Sequence, residues 1–242
     1  MDSEPTSDCG AGASIIAGMA NQAYLSVRCE QFPEESILNY FQGFLQTVPF
    51  SASRPGLRQL IIRAVDDSQS PVLEQDLRLT PLNPSEIVQI SAEQLHSDCS
   101  YEVGCFWDLA TLDPASGESV LGPQALEIIC RGEDYEGGLW RERGHLEAQL
   151  GFEHLFTGHA GLLGARQPLN PQPQSPEEAH FLETMAWPEN LDNYQEKTRE
   201  NIRKLLDWVR RIEKAVPVER AWLWSEGEEN FEARLEEIVA AR

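Results

Sequence analysis

Three of the five histidines in this chain fall within GHLEAQLGFEHLFTGHAG, residues 144–161: His145, His154 and His159, with Glu147 and Glu153 among them. Imidazole and carboxylate are the groups from which a hydrolytic metal site or an acid–base pair is built. Spacing decides how far that goes. On a strand, His145, Glu147 and Gln149 share one face, so the first two point the same way. His154 and His159 lie five apart, off the i, i+4 spacing that puts two imidazoles on one helix face, and Gly151 and Gly158 break the stretch. No zinc signature is present, so the metal-dependent hydrolase using His145, Glu147, His154 and His159 is the alternative reading, and no metal or other cofactor is expected.

Other catalytic constellations fare no better. There is no G-x-S-x-G, and Ser116 and Ser119 sit in an acidic turn. Gly10-Ala11-Gly12 lacks a preceding strand and a third glycine, so it makes no dinucleotide cradle. Cys29, Cys105 and Cys130 lie in apolar strand-like runs, where a thiol acts as a small hydrophobe. Cys99, beside Asp98, is expected to be exposed but blunted by the neighbouring charge. With Cys9 the cysteines number five and include no CxxC, which predicts reduced thiols and a cytoplasmic protein.

Charge is the dominant property: 40 acidic against 19 basic residues, net −21. Such a field repels nucleic-acid phosphates and anionic lipid and speeds encounter with basic proteins. No apolar run approaches the ~18 residues of a membrane span. The opening segment, without a basic region and with its apolar run broken at Gly18, predicts a loose tail, not a secretory signal. The segment Glu133, Asp134, Tyr135, Glu136 and Trp140, between glycines at 132 and 144, sets acids beside two aromatics in an expected exposed loop. That is the composition of a partner-binding surface. Trp222 and Trp224, two apart on a strand, share one face and are expected to divide between core and rim, with core packing the favoured reading. The functional expectation is an acidic protein-binding protein, an inhibitor or immunity-type molecule neutralising a basic partner such as a toxin enzyme. A subunit role using helix 190–215 ranks below it.

The elements that must position these residues follow from periodicity. Residues 23–29 alternate as a strand. Pro33-Glu34-Glu35 then opens a helix whose apolar face is Ile37, Leu38, Phe41, Phe44, Leu45 and Val48, and 57–65 is a second strand, together a β-α-β unit. Residues 72–79 read as a half-exposed strand, and 85–95 fits either strand or short helix. Strands at 101–109, 124–131 and 145–150 form an antiparallel meander, followed by a short helix over 152–156. The segment 165–176, rich in Pro and Gln, reads as a linker. Asn190–Ala215 is a long helix with the stripe Leu191, Tyr194, Thr198, Ile202, Leu205, Val209 and Ile212. A strand at 220–225 leads through a Ser225–Glu228 capping box to a final helix. The fold class is α+β, organised as a tail (1–20), an α+β part (21–164), the linker, and a C-terminal part (177–242) of long helix, short strand and helix packed on the sheet.

Overall fold

The computed structural model describes residues 21–112, 118–159, 163 and 176–241. The expected tail over 1–20, Cys9 and nearly all of the 165–176 linker lie outside the described residues. In chain order the elements are β1 (Gln22–Cys29), α1 (Ile37–Gln46), β2 (Gln59–Ala64), β3 (Leu73–Asp76), α2 (Pro84–Ser91), β4 (Cys99–Leu112), β5 (Ser119–Arg131), α3 (Trp140–Arg143), β6 (Leu146–Phe152), α4 (His154–Thr157), α5 (Pro176–Met185), α6 (Pro188–Ala215), β7 (Val218–Ser225) and α7 (Phe231–Ala240). The class is α+β, with the seven strands in one antiparallel sheet of order β3-β2-β4-β5-β6-β1-β7. β4, β5 and β6 are the expected meander. β1 and β2 run in the same direction, but three strands separate them, so α1 is a wide crossover spanning the meander.

Alternation along the strands divides the sheet into two faces. One carries Leu25 and Val27 of β1, Leu60 and Ile62 of β2, Val103, Cys105 and Trp107 of β4, and Leu126 and Ile128 of β5, all buried. Helices cover this face. Phe41 of α1 meets Tyr101, Trp208 of α6 meets Trp107 at 5.7 Å between ring centroids, and Phe156 of α4 lies between Trp107 and Phe231 of α7. The periodic face read for α1 is buried as expected.

The α6 stripe is wider than its apolar residues indicate. Asn201 is buried, accepting from Ala110 N and donating to the Ala110 and Leu155 carbonyls at 2.8–2.9 Å. Its amide thus ties α6 to the end of β4, outside the regular ladder. Trp208 is buried too, with Nε1 donating to Thr47 Oγ1 at 2.9 Å.

The undecided segment at 85–95 begins with a helix because Asn83 caps it. Asn83 Oδ1 accepts from the Ser85 and Glu86 amides, and Glu86 Oε2 accepts from the Asn83 amide at 2.8 Å. The box expected at Ser225–Glu228 is corrected. Ser225 Oγ accepts from Glu228 N at 3.1 Å, but α7 starts later, at Phe231, with Asn230 as a cap making no side-chain bond. The turn between is tied to the sheet instead, through Glu226 N to Gln22 O and Gly227 N to Glu153 Oε2. The C-terminal part also shares the sheet itself, since β7 pairs with β1 from Ala23 to Cys29. Among the described residues no helix is long and apolar enough to cross a membrane.

Candidate binding surface

Among the described residues the second face of the sheet has no helical layer, and it is built from residues that alternate with the core set. The register aligns them in rows crossing the strands. One row runs Asp76, Gln59, Gly104, Glu127, Gln149, Tyr24, Trp224, one residue from each of the seven strands. The next contains Glu102, Glu147, Ser26 and Trp222. Beyond it Arg63, Ser100 and Arg131 align on one side, and Arg28 with Arg220 on the other. Arginine thus stands beside acid across adjacent rows. Arg131 Nη2 meets Glu147 Oε1 at 2.8 Å with both side chains under one-tenth exposed, and Arg63 Nε meets Glu102 at 3.2 Å. Ser26 donates to Glu147 and accepts from Trp224 Nε1 at 2.9 Å.

The two tryptophans for which core packing is favoured are on this face, half-buried. Tyr24 stacks on Trp224 at 4.1 Å and 9°, and the Arg143 guanidinium lies 4.5 Å from the same ring. Tyr24 donates to Glu226 at 2.8 Å, and burial followed by Glu226 raises its phenol pKa. A Tyr–Trp stack beside arginine is hot-spot composition, with large rigid contact area at low entropic cost. Parity puts both tryptophans on one face, and that face is the open one because β7 lies at the sheet edge, where either side is a permissible home for an aromatic.

One end of this face is covered by the loop 132–144, which holds the five expected partner-binding residues. Glu133 and Asp134 are exposed, whereas Glu136 and Trp140 are half-buried. Tyr135 is corrected. It turns inward, 1% exposed, and donates to Asp67 at 2.6 Å, because the loop folds back over the sheet. The loop is strapped down on several sides. The Glu136 amide donates to Val65 O, Asp67 N to the Glu136 carboxylate, Asp134 N to Ser97 O, and Ser97 Oγ to Asp134 at 2.6 Å. Two of these residues hold left-handed backbone, Val65 at φ 74° and Glu136 at φ 47°, strain that the surrounding bonds must hold in place. Gly144, at φ 87°, closes the loop against β1, where a Cβ would meet the Val27 backbone at 2.7 Å.

His145 is clamped under that loop. Its ring stacks on Phe32 and on Trp140, each at 4.3 Å, and Nδ1 accepts from the Cys29 amide at 3.0 Å. Burial, with Arg28 nearby, pushes its pKa down to about 4. The ring is therefore neutral, with its proton on Nε2, a buried donor without a partner lying 3.9 Å from Glu133. Glu147, expected to share its face, is committed to Arg131.

His154 and His159, whose spacing is off the helix-face offset, are brought together by the turn that follows α4. Their rings stack at 4.0 Å, between Phe152 and Phe181 of α5, and the His159 amide donates to the Tyr194 hydroxyl. Burial, then His159, pushes the His154 pKa down to about 3. Turn geometry at Gly158, not helical spacing, brings the two together. Among the described residues no three His, Cys, Asp or Glu side chains are placed to hold a metal ion. Cys99 is also corrected: it is buried, and burial followed by Asp98 pushes its thiol up to about 11.

The far side of the open face carries a groove of about 610 Å³ over β3, β2, β4 and β5. Its floor is Gly104 and Ala125, diagonal neighbours in the β4–β5 register, with Phe106 and Glu127 on the opposite diagonal. Tyr24, Arg143, Trp224 and Gly104 are the surface residues that periodicity alone does not single out. The available signals are a glycine in mid-strand and the polar half of each alternation.

Comparison of the chain with protein-family models, curated proteins and solved structures finds no match.

Proposed function

We propose that this chain is a protein-binding protein that docks a basic partner across the open sheet face and the 132–144 loop. Its action would resemble that of a cytoplasmic inhibitor or immunity protein neutralising a toxin enzyme. The observation that carries the reading is the loop itself. Exposed Glu133 and Asp134 stand beside Trp140, and the Trp140 ring is fixed by its stack on His145 and its Nε1 bond to Glu133 O at 3.1 Å. An interface whose anchors are already immobilised loses little entropy on binding. The net charge of −21 adds long-range attraction for a basic protein and repulsion of nucleic acid. The four cysteines among the described residues are buried and free, which suits a reducing compartment.

The test is affinity capture from native lysate at low salt, followed by binding measurements on the captured protein. Partner affinity should fall as salt rises through the range where the screening length drops from ~30 to ~10 Å. Trp140→Ala should weaken it by about 30-fold, the scale of a hot-spot residue, and Glu133→Lys with Asp134→Lys should slow association. Binding indifferent to both salt and these substitutions refutes the reading.

A further inference from the structure

We infer that the groove over β3, β2, β4 and β5 receives an arginine or lysine side chain of the partner. The inference rests on the reading that the partner is a basic protein.

Gly104 is the first argument. It stands in the middle of a 14-residue strand, where glycine weakens the ladder, and its backbone is not in the left-handed region that would require glycine. A Cβ there would meet only Gln59, at 3.3–3.4 Å, so packing does not forbid a side chain either. What glycine provides is open space on the outer face. Ala125 beside it, small and exposed, continues the same floor.

Charge is the second argument. The groove is lined by three acids, Glu74 and Asp76 of β3 and Glu127 of β5, against two arginines, Arg58 and Arg78. Asp76 is neutralised by Arg78, which it holds through both oxygens at 2.6–3.0 Å, with the Asp76 pKa lowered to about 2. Among the described residues Glu74 and Glu127 have no ion-pair partner. Arg58, which also lines the groove, donates to the Arg78 carbonyl at 2.8 Å and holds its guanidinium 6.0 Å from the centre of the Phe106 ring. The Phe106 wall already attracts a guanidinium, Arg54, to 4.9 Å. A long cationic side chain laid on Gly104 and Ala125 would pack its methylenes against Phe106 and bring its head to Glu127, with Glu74 across the groove.

The experiment is an amide-resolved NMR titration of the full chain with an acetylated, amidated Gly-Gly-Arg-Gly-Gly peptide, against the same peptide with neutral citrulline for arginine. Saturable shifts centred on Gln59, Gly104 and Ala125 for the arginine peptide alone are expected. Glu127→Gln should weaken them by roughly three- to fivefold, the range of an exposed ion pair. Gly104→Val, which fills the floor, should abolish them. Equal shifts with citrulline, shifts spread over the acidic surface, or full affinity in Glu127→Gln would overturn the inference. The partner-binding reading is tested separately. If Trp140→Ala releases the captured partner while the groove variants do not, the groove assignment fails and the reading stands. If no variant affects capture, the reading fails.

Discussion

The Arg131–Glu147 pair offers the sharpest check on how the open face is built. Glu147→Ala removes the carboxylate that accepts from Arg131 at 2.8 Å. Arg131 is 6% exposed, its Nη1 already has no partner, and its Nη2 would lose the one it has. A guanidinium so placed cannot be hydrated freely, so the cost is that of an uncompensated buried charge, about 3–5 kcal/mol. Urea unfolding of the wild type and Glu147→Ala measures it. With a denaturant slope of about 2 kcal/mol per molar, the midpoint should fall by roughly 2 M with the slope unchanged. The double variant Arg131→Met/Glu147→Leu removes both charges and keeps apolar volume. It should recover to within about 1 kcal/mol of wild type, or exceed it. A midpoint shift below about 0.5 M for Glu147→Ala would refute the reasoning. It would mean that water reaches the pair and that the loop does not seal this end of the sheet.

Two further outcomes follow from buried polar groups. His145 and His154 have pKa values held at about 4 and about 3, below the ordinary 6.5, so the unfolded chain binds more protons than the folded one between these limits. Stability is therefore full above pH 6.5 and declines as pH falls toward 4, at up to about 1.4 kcal/mol per pH unit for each histidine; urea midpoints from pH 7 to 5 should flatten in His154→Phe, and an unchanged slope would contradict the assignment. Asn201→Leu strands the Ala110 amide and the Ala110 and Leu155 carbonyls, with an expected loss of about 3 kcal/mol, read by thermal or urea unfolding.

The periodic elements were legible because periodicity is local. The face of α1, the meander and the long α6 follow from 3.6- and 2-residue patterns whose apolar members must be buried wherever the element goes. Asn201 lies one position before Ile202 of the α6 stripe, and an amide adds nothing to an apolar periodicity, so its burial has no local signal. Trp208, one position before Val209, widens the buried face because its ring packs on Trp107 and its Nε1 reaches Thr47. The α2 helix was readable in principle, since Asn83 with Glu86 three residues on is a capping box. Tyr135 illustrates the opposite failure: flanking glycines indicate a loop but not which way it folds, and this one folds back onto the sheet.

By itself the sequence determined the α+β class, the meander, the acidic field and the absence of zinc or nucleophile-elbow spacing. These are set by composition and by neighbours a few residues apart. Only the tertiary structure decided how the remaining strands flank that meander. The order β3-β2-β4-β5-β6-β1-β7 brings Asp76 and Trp224, 148 positions apart in the chain, into one row. It also stacks His154 on His159 while leaving His145 between Phe32 and Trp140. Strand pairing is a long-range choice made by the whole core. The surface rows, the ion pairs between them and the groove over Gly104 are consequences of that choice, so no local pattern encodes them.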